Sequence, residues 1–92
     1  MENIIDMIRK HIADIFRKKG LRPYTLPDGK ILVIDDNFVT QFKLDISFNN
    51  NDFGCIVLER RGETLATTKS FNIAWSSGEE IHNFLNYLRS LR

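Results

Sequence analysis

The sequence predicts one two-layer α+β domain, an antiparallel four- to five-stranded meander sheet with N- and C-terminal helices packed on one face, in the order αβββββα. Three observations carry that reading. Apolar residues recur at helical spacing near both ends, the residues between them alternate apolar with polar, and turn-forming sequences punctuate the alternation. A chain of 92 residues is too short to divide into two self-sufficient cores, so 1–92 is read as one domain.

In the first helix Ile5, Ile8, Ile12, Ile15 and Phe16, joined by Ile4, fall on one face. The opposite face is charged, with Asp6 before Lys10 and Asp14 before Lys18 in the favourable i,i+4 order. Gly20 after Lys18 and Lys19 is a C-terminal stop, since glycine accepts the left-handed cap and the lysines oppose the negative end of the helix dipole. Leu21 is expected to fold back on the last apolar turn, and Pro23 prevents a restart.

From Tyr24 the period falls from 3.6 to 2. Pro27-Asp28-Gly29 joins a Tyr24–Leu26 strand to Lys30–Asp35, and Asp36-Asn37 makes the next turn. The third strand places Phe38, Phe42, Leu44, Ile46 and Phe48 on a core face and Gln41, Lys43, Asp45 and Ser47 on a wet one. Asn49-Asn50-Asn51-Asp52 turns into Phe53–Arg60, and Arg61-Gly62 turns into Glu63–Trp75. Connections this short require antiparallel neighbours. Ser76 with Glu79, or Ser77 with Glu80, is a capping box, and Ile81, Phe84, Leu85, Leu88 and Leu91 then line the face of a last helix. One apolar face on each helix and one on the sheet are satisfied together when both helices cover the same side.

Composition excludes several classes of function. No apolar run approaches the ~20 residues of a membrane span, and MENIIDMIRK is too acidic for a secretory signal. Cytoplasmic residence is the expectation. The lone Cys55 forbids an internal disulfide and is read as a packing residue within an apolar strand. His11 and His82 lie on different helices, without the spacing of metal ligands, and no glycine-rich loop offers a phosphate cradle. Neither a cofactor nor an enzymatic activity is expected, since no serine or cysteine stands in a nucleophile context. The acids of the Asp35–Asn37 and Asn49–Asp52 turns do not follow a calcium-loop pattern.

Two surfaces are left to act. Net charge is +1, yet residues 1–22 carry six bases, Arg9, Lys10, Arg17, Lys18, Lys19 and Arg22, against three acids. Such a helix can neutralise phosphates, so a nucleic-acid-binding domain is the alternative reading. The leading one is a small non-enzymatic interaction module, of adaptor, inhibitor or immunity type. It would bind a partner protein through the wet sheet face, Gln41, Lys43, Asp45 and Ser47 with Thr68 beside them, and through the turns that carry Asp35, Asp36 and Asp52. The same face offers a site for a second copy of the domain, and the acids of the turns suit a basic target.

Overall fold

A computed structural model describes residues 4–48, 53–61 and 66–91. The chain runs α1 (Ile4–Lys18), β1 (Arg22–Thr25), β2 (Ile31–Ile34), β3 (Thr40–Phe48), β4 (Phe53–Arg61), β5 (Ala66–Ala74) and α2 (Gly78–Ser90). The strands form an antiparallel meander in the order β1-β2-β3-β4-β5. Helix α1 lies against β1, α2 against β5, and the helices touch each other. The αβββββα arrangement expected from the sequence is the one observed.

The apolar stripe of α1, Ile5, Ile8, Ile12, Ile15 and Phe16, is buried, while Ile4 at its margin is 37% exposed. It meets Ile31, Val33, Phe42, Leu44, Ile56, Leu58 and Ile73 from the sheet and Phe84, Leu85 and Leu88 from α2. The Phe16 and Phe42 rings lie 5.1 Å apart, and Phe71 packs edge-on to Phe84 at 5.0 Å. Burial of this contiguous apolar set is the main favourable term in folding.

Local sequence explains the helix ends. Gly20 has φ +83°, which lets the Gly20 N–H reach the Arg17 carbonyl at 3.0 Å and the Leu21 N–H reach the Phe16 carbonyl at 3.0 Å. This is a Schellman cap, with Leu21 packed back on the core as its apolar contact. At α2 the cap is Ser77, whose Oγ accepts from the Glu80 N–H at 3.3 Å. The Glu80 carboxylate accepts from the Ala74 N–H instead, at 3.2 Å, so half of the expected box ties the helix to the end of β5. Asp6 and Asp14 pair with Arg9 and Arg17 at i,i+3, both at 3.3 Å.

Three positions differ from expectation. Phe38 does not begin the third strand, because the preceding turn extends from Asp35 to Val39 and β3 starts only at Thr40. Gln41 leaves the wet face. Val33 pairs with Phe42 and Ile34 with Thr40, so Gln41 is the additional residue of a β-bulge and is turned to the helix side. There it lines a depression of about 430 Å³ with Leu21, Phe42 and Leu91. Trp75 lies past the end of β5 and is buried, its indole set against the Cα of Gly54, with no room for a side chain between them. The Asn49–Asp52 turn, Asp52 with it, and Gly62 lie outside the described residues.

Candidate functional site

Directly paired residues in a sheet project to the same side, so the strand registers define the face opposite the helices. Tyr24, Leu32, Lys43, Glu59 and Thr68 form one row across the strands. Asp45, Val57 and Ser70 form the next, and Ser47, Cys55 and Asn72 the one after. Arg22 and Ile34 stand at the other end. No described element covers this face.

Its composition is not that of a surface built only for water. Leu32, Ile34, Cys55 and Val57 are half-buried among their strand neighbours, Tyr24 is 47% exposed and Phe53, at the far end, 49%. Cys55 therefore packs on the open face, opposite Ser47, and not in the core. Charges of both signs are interleaved with these groups. Lys43 stands directly opposite Glu59, a favourable cross-strand combination, and Glu59 also accepts Arg61 at 3.2 Å. Arg22 and Asp36 approach to 3.7 Å at the corner.

That corner is formed by the β2–β3 turn. The Asp35 carboxylate accepts from the N–H groups of Asn37 at 2.8 Å and Val39 at 3.0 Å, and from Gln41 Nε2 at 2.7 Å. Chiefly through the Val39 N–H, with Gln41 and Asn37 adding to it, these bonds hold the Asp35 carboxyl below its ordinary value against the opposing effect of burial. The Lys30 N–H does the same for Asp28 in the β1–β2 turn. The two turns share a backbone plan. Leu26 N–H bonds to the Lys30 carbonyl and Gly29 N–H to that of Leu26, as Asp35 bonds to Val39 and Phe38 to Asp35. In the first, the left-handed position holds Gly29 at φ +90°. In the second it holds Phe38 at φ +62°, which among the described residues is the one non-glycine with positive φ. Phe38 is also 75% exposed, with Val39 beside it at 53%. The Arg22 guanidinium lies 5.9 Å from the ring centroid.

The remaining candidates are more dispersed. Of the expected partner-binding set, Lys43, Asp45 and Ser47 share the open face, Asp36 is at its corner, and Asp35 and Gln41 bond to one another at the depression on the helix side. The basic residues make several separate contacts. Arg9 and Arg17 are paired within α1, Arg22 lies over Phe38, and Lys19 Nζ donates to the Arg89 and Leu91 carbonyls at 2.8 and 2.6 Å. Lys10 and Lys18 are exposed. His11 is exposed near the α2 end, and His82 Nε2 lies 3.0 Å from Asn86 Nδ2. Among the described residues no group of three or more His, Cys, Asp or Glu side chains is placed to hold a metal. No helix there is long and apolar enough to cross a membrane.

Alternation alone does not reveal the apolar half of the open face. Its signal was the unbroken apolar run Ile31-Leu32-Val33-Ile34 and, in β4, Cys55-Ile56-Val57-Leu58. Such runs are the mark of strands apolar on both faces. The chain matches no protein-family model, no curated protein and no solved structure.

Proposed function

We propose that this chain is a small non-catalytic protein-interaction module whose working surface is the open face of the sheet with the Asp35–Val39 turn at its corner. One observation carries the proposal: Leu32, Ile34, Cys55 and Val57 give two strands a second apolar side on a face that no described element covers. Apolar groups surrounded by interleaved charge are the usual make-up of a protein interface, with an apolar centre and a polar rim. The acids are matched by bases, so the expectation of a basic target weakens and a surface of mixed charge fits better. The nucleic-acid reading depends on α1, where acids and carbonyls engage Arg9, Arg17 and Lys19.

The test reverses a central charge. Tagged wild type and a Lys43→Glu variant are recovered from the native host, and co-purifying protein is quantified beside the thermal midpoint of each. The proposal expects the partner to be lost with the midpoint nearly unchanged. Retention of the partner by this variant, with its loss on Arg17→Gln/Lys18→Gln, would move the working surface to α1.

A further inference from the structure

We infer that the occupant of the open face is a second copy of this chain, related by a two-fold axis and anchored by Phe38. This rests on the reading that the open face is the working surface. It adds what covers that surface.

The charges of the open face are balanced. On and around the face stand the bases Arg22, Lys43 and Arg61 and the acids Asp36, Asp45 and Glu59. A face balanced in this way attracts neither a strongly acidic nor a strongly basic partner, and it is complementary to itself. Lys43 and Asp45 project from β3 two residues apart. A two-fold axis that lies between facing sheets and crosses β3 at Leu44 sets Lys43 of each copy against Asp45 of the other. In an isologous interface every such contact occurs twice.

Exposed aromatic side chains stand at both ends of the face. Phe38 precedes β3 and Phe53 begins β4, so they stand at opposite ends of the face. The same axis, perpendicular to the strands, carries the Phe38 end of one copy over the Phe53 end of the other. Leu32, Ile34, Cys55 and Val57 lie between.

Phe38 combines two unfavourable features. Its backbone occupies a conformation that glycine fills in the sister turn, and its ring is 75% exposed. For the isolated fold both features are unfavourable, since a bulky residue at positive φ is strained and an exposed ring gains little from burial. An anchor buried on association accounts for both. The area is also adequate. Strands spaced ~4.8 Å apart and rising ~3.4 Å per residue give a face on the order of 600 Å² in projection. A stable interface of ordinary size takes about 800 Å² of accessible surface from each partner, the same order.

Sedimentation velocity on the full chain, from low micromolar to sub-millimolar concentration, provides the test. The inference expects a concentration-dependent shift from monomer to dimer. Phe38→Gly is expected to weaken dimerisation at least about tenfold and, in urea unfolding at a concentration where both proteins are monomeric, to raise the midpoint, because glycine relieves the backbone strain. Val57→Arg is expected to abolish the dimer from the centre of the face. A wild type that stays monomeric throughout the range would overturn the inference, and so would a Phe38→Gly protein that dimerises as well as wild type. A monomeric wild type whose Lys43→Glu variant still loses a co-purifying protein would overturn the second copy and leave the open face as the working surface.

Discussion

Lys19 and Leu91 join the ends of the two helices: the Lys19 ammonium donates to the Leu91 carbonyl at 2.6 Å and, two residues earlier, to that of Arg89 at 2.8 Å. The last carbonyls of a helix lack partners within it, and they carry the negative end of its dipole. A lysine placed by the Schellman turn of α1 thus caps α2. In the sequence the same lysine reads as a dipole partner for its own helix, or as part of a phosphate-binding run.

Replacing Lys19 with Met keeps most of the aliphatic stem and removes the donor. Hydrogen bonds to a charged group contribute roughly 1.5–3 kcal/mol when buried, and this one is only partly so. The expected loss is about 1–2 kcal/mol in urea unfolding, with faster amide exchange confined to the last turn of α2. An unchanged midpoint would show that water caps α2 equally well.

Gly54 has no space for a side chain. A Cβ there would run into the Trp75 indole and come within 2.7 Å of the Ser47 carbonyl. Gly54→Ala must displace either a buried tryptophan or the β3 backbone, and about 3 kcal/mol of destabilisation is expected from such overpacking. A red shift of tryptophan emission in the folded protein would accompany it. Trp75 is the one tryptophan of the chain, which makes the signal unambiguous.

The Asp35 turn makes stability depend on pH. Folding lowers the Asp35 pKa, so its contribution is fully present above the ordinary value of 3.8 and is lost as pH falls through the lower folded value. Asp28 acts in the same direction. In a series of unfolding midpoints against pH, Asp35→Asn is expected to lie furthest below wild type above that ordinary value, and the gap to close in acid. A gap that is constant with pH would assign the effect to packing rather than to the carboxylate.

Adjacent positions in β4 are expected to respond very unequally. Leu58 is buried against the helices, and Leu58→Ala should cost about 2–5 kcal/mol. Val57 faces away from them, and Val57→Thr, a β-branched exchange, should change monomer stability by about 0.5 kcal/mol or less. Urea unfolding of both variants at low concentration checks the assignment of faces.

Most of the fold is legible in the chain because local signals and the global pattern agree. The spacing of Ile5, Ile8, Ile12 and Ile15, the Gly20 stop, the Pro27-Asp28-Gly29 turn and the Ser77 cap each point to the element observed. Phe38 and Gln41 depart from the alternating pattern for two separate reasons. A bulge inserts a residue without a signature in hydrophobic alternation, and the backbone conformation of Phe38 is one that an aromatic residue seldom adopts. The open face was half legible. Lys43, Asp45 and Ser47 are distinct as polar alternates, whereas Leu32 and Val57 merge with the core residues on either side of them. The link from Lys19 to Leu91 spans nearly the whole chain, and no local pattern announces it.

The most direct test of the open face as the working surface is photo-crosslinking in the native host, with a photoreactive amino acid placed at position 57 or, separately, at position 18 on the exposed side of α1. A discrete protein adduct is expected from position 57, of dimer mass if a second copy is the occupant, and none from position 18. An adduct with protein or nucleic acid from position 18, and none from position 57, would contradict that assignment.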